Sequence, residues 1–395
     1  MSKLHRHLIT SVWTAVEAIM QGGEGAEGVV ARALQGHPKW GARDRRQFAE
    51  QVYGLVRHWR WAGHLAAAED TPSRWAAWWM QDHGEALPEE FTAGLTLEDV
   101  LASAALETPL AVRESLPDWL DAHGHSAYGD VWPAVARSLN QPAEVFLRVN
   151  RLRGSVAEAA ARLQEEGVET DVVPGAPDAL KLRVRRPLQN SATFRAGWCE
   201  VQDAGSQQIA PFLRVAPGQT VVDACAGAGG KSLHLAALMR NQGHLLAMDV
   251  HPRKLAELEL RARRNGVVIC QTQLISDAPS HSADRVLLDV PCSGLGILRR
   301  KVATKWQLTE SALSKLLTLQ ARILQDYSAM VKPGGKLVYA TCSLLPAENE
   351  HQVATFLAAN PGGWSLEEER RLRPDVEGWD GFYMARLVRA EAGPH

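Results

Sequence analysis

An apolar run, a glycine-rich turn and a helical stretch follow one another from residue 220, and the alternation continues toward the end of the chain. Thr220 to Ala224 reads as a strand, Ala226-Gly227-Ala228-Gly229-Gly230 as a turn, and the residues from Lys231 as a helix. Leu245 to Asp249 reads as a second strand. Pro252 to Asn265 reads as a helix with Leu255 and Leu258 on one face and Gly266 as its stop. Asp284 to Asp289 and Lys336 to Thr341 are two more apolar strands. Strands separated by helices re-enter a sheet in the same direction, so the pattern predicts an α/β, doubly wound parallel sheet.

Upstream the texture differs. To about Asn140 the chain reads as short helices. Phe48, Val52, Leu55, Val56 and Trp59 recur at helical spacing with Asp44 as N-cap, and nine of the 13 tryptophans fall in this part, where they are expected in the core. After Gln141-Pro142 a strand–helix–strand–strand pattern at 145–184 suggests a small α+β module of ferredoxin or RNA-recognition type. Three domains are thus expected, at 1–140, 141–210 and 211–395. The formal net charge of −2 excludes a globally basic nucleic-acid coat. It leaves room for local basic clusters, at Arg148, Arg151, Arg153, Arg183, Arg185 and Arg186 and again at Arg299, Arg300, Lys301 and Lys305. Each cluster is either a set of solvated charges or a grip on phosphates.

Five cysteines without a C-x-x-C pair fit a reducing compartment. The start of the chain (Lys3, His5, Arg6, His7) lacks the form of a signal peptide, and no apolar run has the length of a membrane span. A cytoplasmic protein is expected, with no membrane partner, no metal site and a monomeric state.

The candidate chemistry gathers at strand ends. The glycine turn fits neither the P-loop spacing nor G-x-G-x-x-G, but it brings bare backbone to a ligand. Asp249 at the next strand end can accept the ribose hydroxyls of an adenosine ligand, as in a nicotinamide or an S-adenosylmethionine enzyme, and Asp277 can meet the adenine amino group. Asp289-Val290-Pro291-Cys292-Ser293-Gly294-Leu295-Gly296 then places an acid and a thiol at a strand end, and Thr341-Cys342-Ser343 places a second thiol at the next. Two inert buried cysteines would not need these Asp, Pro, Ser and Gly neighbours.

The motifs DACAGAGGK, DVPCSGLG and ATCSLLPAENE resemble those of the RsmB/Nol1/Nop2/Sun family of RNA 5-methylcytosine methyltransferases. FLRVNRLRGS, VQDAGSQQIA and GWDGFYMARLVR are similar to other segments of that family, and the Asp44 to Trp59 region resembles the NusB-like helical domain of bacterial RsmB proteins. The resemblance implies a Rossmann-like S-adenosylmethionine-dependent methyltransferase domain behind a NusB-like domain and an RNA-recognition-like module. It implies Cys342 as nucleophile, Cys292 as the thiol that assists elimination, Asp289 at the cytosine edge and Lys231 beside the base. It further implies a cofactor site at Cys225, Ala226, Gly227, Ala228, Gly229, Gly230, Lys231, Asp249, Asp277 and Asp289. RNA, most simply small-subunit ribosomal RNA, would meet Arg299, Arg300, Lys301, Arg148 and Arg151. Ala228 stands where the family usually has proline, and Leu295 where it often has threonine. Methylation of transfer RNA and a noncatalytic RNA-binding assembly role are the alternatives. A nicotinamide dehydrogenase leaves the paired cysteines without purpose, and a DNA cytosine methyltransferase leaves Cys342 without purpose.

Overall fold

A computed structural model describes residues 5–275 and 282–391. The chain forms two compact units: Met1–Pro142 with Ile297–Glu310, and Ala143–Gly296 with Ser311–His395.

The first unit is helical. Helices Arg6–Met20, Ala26–Gly36, Ala42–Arg57, Trp59–Ala66 and Thr71–His83 enclose a core in which Phe48, Val52, Leu55, Val56, Trp75 and Met80 are fully buried. The expected stripe is therefore real, but it is broken at His58, and Asp44 caps from the third helical position by accepting from the Gly41 amide at 3.3 Å. Gly54 permits the close approach of Trp78, whose ring would lie 2.4 Å from a Cβ there. Trp75, Trp78 and Trp79 are buried in this core and Trp13, Trp40, Trp59 and Trp61 pack against it; Trp75 Nε1 is satisfied by Gln51 at 3.0 Å.

Residues 297–310, expected in the third domain, belong to this helical unit. Val302 and Ala303 enter its core. Trp306 Nε1 donates to the Val56 carbonyl at 2.8 Å, and the buried Lys305 ammonium donates to the Arg57 carbonyl at 2.8 Å and to Asn140 Oδ1 at 3.1 Å. Arg299, 8% exposed, donates to the Pro142 carbonyl at 3.2 Å, and Lys301 pairs with Glu27 at 3.0 Å. The sequence reading sends this basic run toward RNA. The structure corrects it for Arg299, whose partners are protein groups, and shows Lys305 to be equally internal. Helix ends and chain turns leave carbonyls needing donors, and these cations supply them.

The second unit holds two sheets. Strands β1 (Phe146–Val149), β2 (Thr170–Val172), β3 (Ala179–Leu182) and β4 (Cys199–Val201) pair antiparallel in the order β2-β3-β1-β4, with helix Val156–Glu165 after β1. β4 and the short helix Ala192–Arg195 before it complete the ferredoxin-like pattern and go unread in the sequence. Buried Glu200 on β4 accepts from Arg261 (3.0 Å), Arg264 and Asn265 (2.5 Å), fixing this small sheet to helix Pro252–Asn265.

The large sheet comprises β5 (Thr220–Asp223), β6 (His244–Asp249), β7 (Cys270–Leu274), β8 (Ala283–Asp289), β9 (Val331–Thr341), β10 (Trp364–Leu372) and β11 (Phe382–Arg389), ordered β10-β11-β9-β8-β5-β6-β7. The five central and flanking strands from β9 to β7 run parallel, and β11 and β10 add antiparallel. The order reverses between β5 and β8, which opens a crevice at their carboxyl ends. No helix among the described residues is long and apolar enough to cross a membrane.

Burial and the nearby Arg57 pull the Lys305 ammonium down to about 7 from 10.5, against a smaller upward pull from Glu114. Between those values the unfolded chain binds a proton that the folded chain does not, so stability should rise with pH through that window. Lys305→Met should remove this rise. Thermal midpoints at pH 7 and 9 should converge in the variant relative to wild type, by about 2–4 °C for each kcal/mol involved. Parallel pH profiles would contradict it.

Candidate active site

Three strand ends supply carboxylates to one edge of the sheet: Asp223 on β5, Asp249 on β6 and Asp289 on β8. The chain leaves β5 through the glycine turn, where Gly227 (φ +54) and Gly229 (φ +88) lie in the left-handed region that side chains disfavour. Around Gly227 a Cβ would meet nothing within 4 Å, whereas at Gly229 it would lie 2.5 Å from Leu258 Cγ. One glycine thus leaves open space at the edge, and the other lets helix Gly230–Leu238 seat against helix Pro252–Asn265. The Ala226 amide donates to the Met248 carbonyl and the Gly227 amide to Asp249 Oδ2, both at 2.9 Å; Asp249 Oδ1 accepts from the His251 amide at 2.8 Å. Each Asp249 oxygen keeps a second lone pair for a ligand hydroxyl.

Asp223 is almost wholly buried, and Oδ1 has no hydrogen-bond partner among the described residues, while Oδ2 accepts from Ser232 at 2.6 Å. Burial pushes its carboxyl up to about 6, against the lowering effect of the Ser232 hydroxyl. Arg148 donates to Gln202 and to the Gly230 carbonyl, and is 2% exposed. The expectation that it grips RNA is corrected: it anchors the start of the helix that follows the glycine turn. Arg151 is exposed and lies 3.7 Å from Asp178. Arg300 is half-buried in the segment described above. Asp277 lies outside the described residues.

The thiols meet at the neighbouring ends. Cys292 follows β8, Cys342 follows β9, and their sulfurs are 3.3 Å apart; the Cys342 amide also points to Cys292 Sγ at 3.3 Å. Both cysteines are free and partly exposed. The hydrogen bond to Cys342 and then burial push the Cys292 thiol well up from its ordinary value. Cys225 is pushed up too, by burial and the acids around it. Lys231 Nζ lies 2.5 Å from Asp289 Oδ2. Burial draws the Lys231 ammonium down, but Asp289 outweighs it and Cys342 adds to the upward pull, so the group stays charged. Cys342, Cys292, Asp289 and Lys231 are thus brought together as their motifs suggest.

The sequence reading passes over the groups that hold this edge in place. Gly296 donates to the Cys342 carbonyl and accepts from Gly381, both at 2.8 Å, and a Cβ on Gly296 would lie 2.1 Å from the Gly381 oxygen. The signal was present as the glycines of DVPCSGLG and GWDGFYMARLVR, which sit far apart in sequence. Glu348, within ATCSLLPAENE, is fully buried between the two thiol-bearing turns.

A doubly wound sheet with acids and a glycine turn on its carboxyl edge is a Rossmann-like site for an adenosine-bearing ligand; with the family match that follows, it is the site of an S-adenosylmethionine-dependent methyltransferase. The chain belongs to the RsmB/F family: a family model described as 16S rRNA methyltransferase RsmB/F matches residues 210–388, and the RsmF/B-like ferredoxin-like domain matches residues 116–189. Ribosomal RNA small subunit methyltransferase B of Klebsiella pneumoniae is 35% identical over 284 residues, 69% of this chain and 66% of that protein. The probable ribosomal RNA small subunit methyltransferase B of Synechocystis is 34% identical over 304 residues, 71% and 68% of the two chains. The match therefore spans about two thirds of these relatives' length. Among solved structures, a methyltransferase homolog protein from Pyrococcus horikoshii superposes with TM-score 0.62 at 28% identity, covering 71% of this chain and 97% of that one.

The residues present fit the cofactor. Open space at Gly227, an unpartnered Asp223 oxygen, the spare lone pairs of Asp249 and the amides that begin helix Gly230–Leu238 offer what a ribose and an amino-acid group require. Asp249→Ala should weaken S-adenosylmethionine binding about 10- to 100-fold, the loss of one or two charge-assisted hydrogen bonds. Calorimetry on the full chain checks this, and unchanged affinity would place the ribose elsewhere.

Proposed function

We propose that this protein transfers a methyl group to carbon 5 of a cytosine in RNA, with small-subunit ribosomal RNA as substrate. The names of its relatives support the RNA. The observation that carries the chemistry is a pair of strand-end thiols 3.3 Å apart beside a lysine–aspartate pair. Carbon 5 of cytosine is a weak nucleophile, and a thiolate added at carbon 6 makes it enamine-like.

Cys342 Sγ forms the bond to carbon 6, and the π-electron pair moves toward carbon 5. Asp289 lies against the cytosine edge and favours protonation at ring nitrogen 3. The Lys231 ammonium holds the base and supplies the positive potential that favours a thiolate. Bound S-adenosylmethionine supplies an electrophilic methyl group. Once carbon 5 carries that group, Cys292, its own proton passed to solvent, accepts the carbon-5 proton, the C–H electron pair re-forms the ring double bond and the sulfur–carbon bond breaks with its pair returning to Cys342. The raised Cys292 thiol suits a group that keeps its proton while its neighbour attacks. The target base is reached unstacked or in a single-stranded region.

The two thiols should give opposite phenotypes. Cys342→Ala should abolish methylation, by more than about 1,000-fold, and form no covalent RNA adduct. Cys292→Ala should add to the base but eliminate slowly, so a covalent protein–RNA complex accumulates. A denaturing gel with labelled RNA and S-adenosylmethionine shows the adduct as a slow, RNase-sensitive band. The reverse pattern would exchange the roles, and wild-type methylation in both variants would remove the thiol mechanism.

A further inference from the structure

The two thiol turns share a sequence, Cys-Ser-x-Leu, at residues 292–295 and 342–345. They also share a geometry. In each, the leucine amide approaches the serine oxygen two residues back, at 3.4 Å for Leu295 and Ser293 and at 3.1 Å for Leu345 and Ser343. Both hydroxyls then donate to one oxygen, Oε2 of Glu348, Ser293 at 2.5 Å and Ser343 still closer. Oε1 accepts from the Ser293 amide at 2.8 Å and from Gln320 Nε2 at 2.9 Å. Four neutral donors fill the carboxylate, which is completely buried, and no cation pairs with it among the described residues. Tyr339 and Asn349 hold the backbone around it, through the Glu348 carbonyl at 2.7 Å and the Ser343 carbonyl at 3.0 Å.

A buried carboxylate without a cation is costly, and neutral side chains of the same shape fill such a space at lower cost. Its presence here calls for a use of the charge or of its capacity to accept from two directions at once. We propose that Glu348 is a positioning residue for the proposed methyl transfer: its one carboxylate clasps both Cys-Ser turns and so sets the two sulfurs at hydrogen-bonding separation. The inference rests on the thiol reading of the preceding section. Its charge has a second consequence. After the bond to Cys342 and burial, the Glu348 carboxylate is among the groups that push the Cys292 thiol up, which helps this thiol keep its proton.

Glu348→Gln in the full chain keeps the shape but loses the charge and one acceptor. The alkylation rate of each cysteine with iodoacetamide, followed against pH by mass spectrometry of the labelled peptides, reads the clasp without any RNA. The Cys292 profile should move to lower pH. Methylation should lose about 10- to 100-fold in kcat, as expected of reacting groups displaced by a fraction of an ångström, while the KM for RNA and the affinity for S-adenosylmethionine stay within about twofold. A folded Glu348→Gln protein with the wild-type alkylation profile and wild-type kcat overturns the proposal. Should that variant fail to fold, Ser343→Ala alone carries the test, since it cuts the Cys342 arm and leaves the carboxylate: kcat should fall at unchanged KM, and wild-type kcat overturns the clasp. A wild-type chain that methylates no cytosine refutes the thiol reading itself, while the alkylation profiles still decide whether Glu348 governs the sulfurs.

Discussion

Parallel pairing of β8 with β5 on one side and β9 on the other is the constraint from which the rest follows. Parallel strands end on the same edge, so Asp223, Asp289 and Cys342 arrive together although more than a hundred residues separate the first from the last. The reversal of strand order between β5 and β8 then keeps the crossing helices apart at that edge and leaves a crevice over it. Glycines at 227 and 229 permit the turn at this edge, because both lie in the left-handed region that side chains disfavour.

Concentrating acids, thiols and a lysine on a largely buried edge creates a demand for partners, and the loops after the strands are organised around meeting it. Lys231 and Asp289 answer each other directly. Asp223 has Ser232 on one oxygen. The thiol turns are closed by backbone contacts among Gly296, Gly381 and the Cys342 carbonyl, where any side chain on Gly296 would collide with main chain. Such contacts cannot give way locally, which suits a site whose reacting atoms must hold their places to within a fraction of an ångström.

Strands β5, β6, β8 and β9 were legible because they are apolar runs bounded by turn residues, and the site because strand-end positions are fixed once the strands are; β7 and β10 are largely polar and went unplaced. β4 escaped because three residues carry no periodicity, and its anchor, Glu200 beneath Arg261 and Arg264, is a long-range contact that no local pattern records. The basic run at 299–305 misled for a related reason. Lysine and arginine are ordinarily solvated, yet Lys305 and Arg299 serve carbonyls of Arg57 and Pro142, far away in sequence. Arg148 belongs to the same class, a strand cation spent on the Gly230 carbonyl. In each case the residue type was read correctly and its partner could only be found in three dimensions.

The electrostatics of the thiol pair bear on the division of labour proposed for it. Two sulfurs 3.3 Å apart cannot both carry a charge in a buried setting, so the first ionisation suppresses the second. A thiol that donates to a neighbouring sulfur steadies negative charge there and holds its own proton more tightly. The hydrogen bond between Cys292 and Cys342, burial and the nearby Glu348 all oppose ionisation of Cys292. The Lys231 ammonium interacts favourably with negative charge on Cys342, an interaction that helps keep the lysine charged. The amides of Cys342 and Gly294 favour charge on Cys292, and the opposing influences outweigh them. A proton retained on the sulfur after β8 fits the proposed order, in which addition precedes elimination.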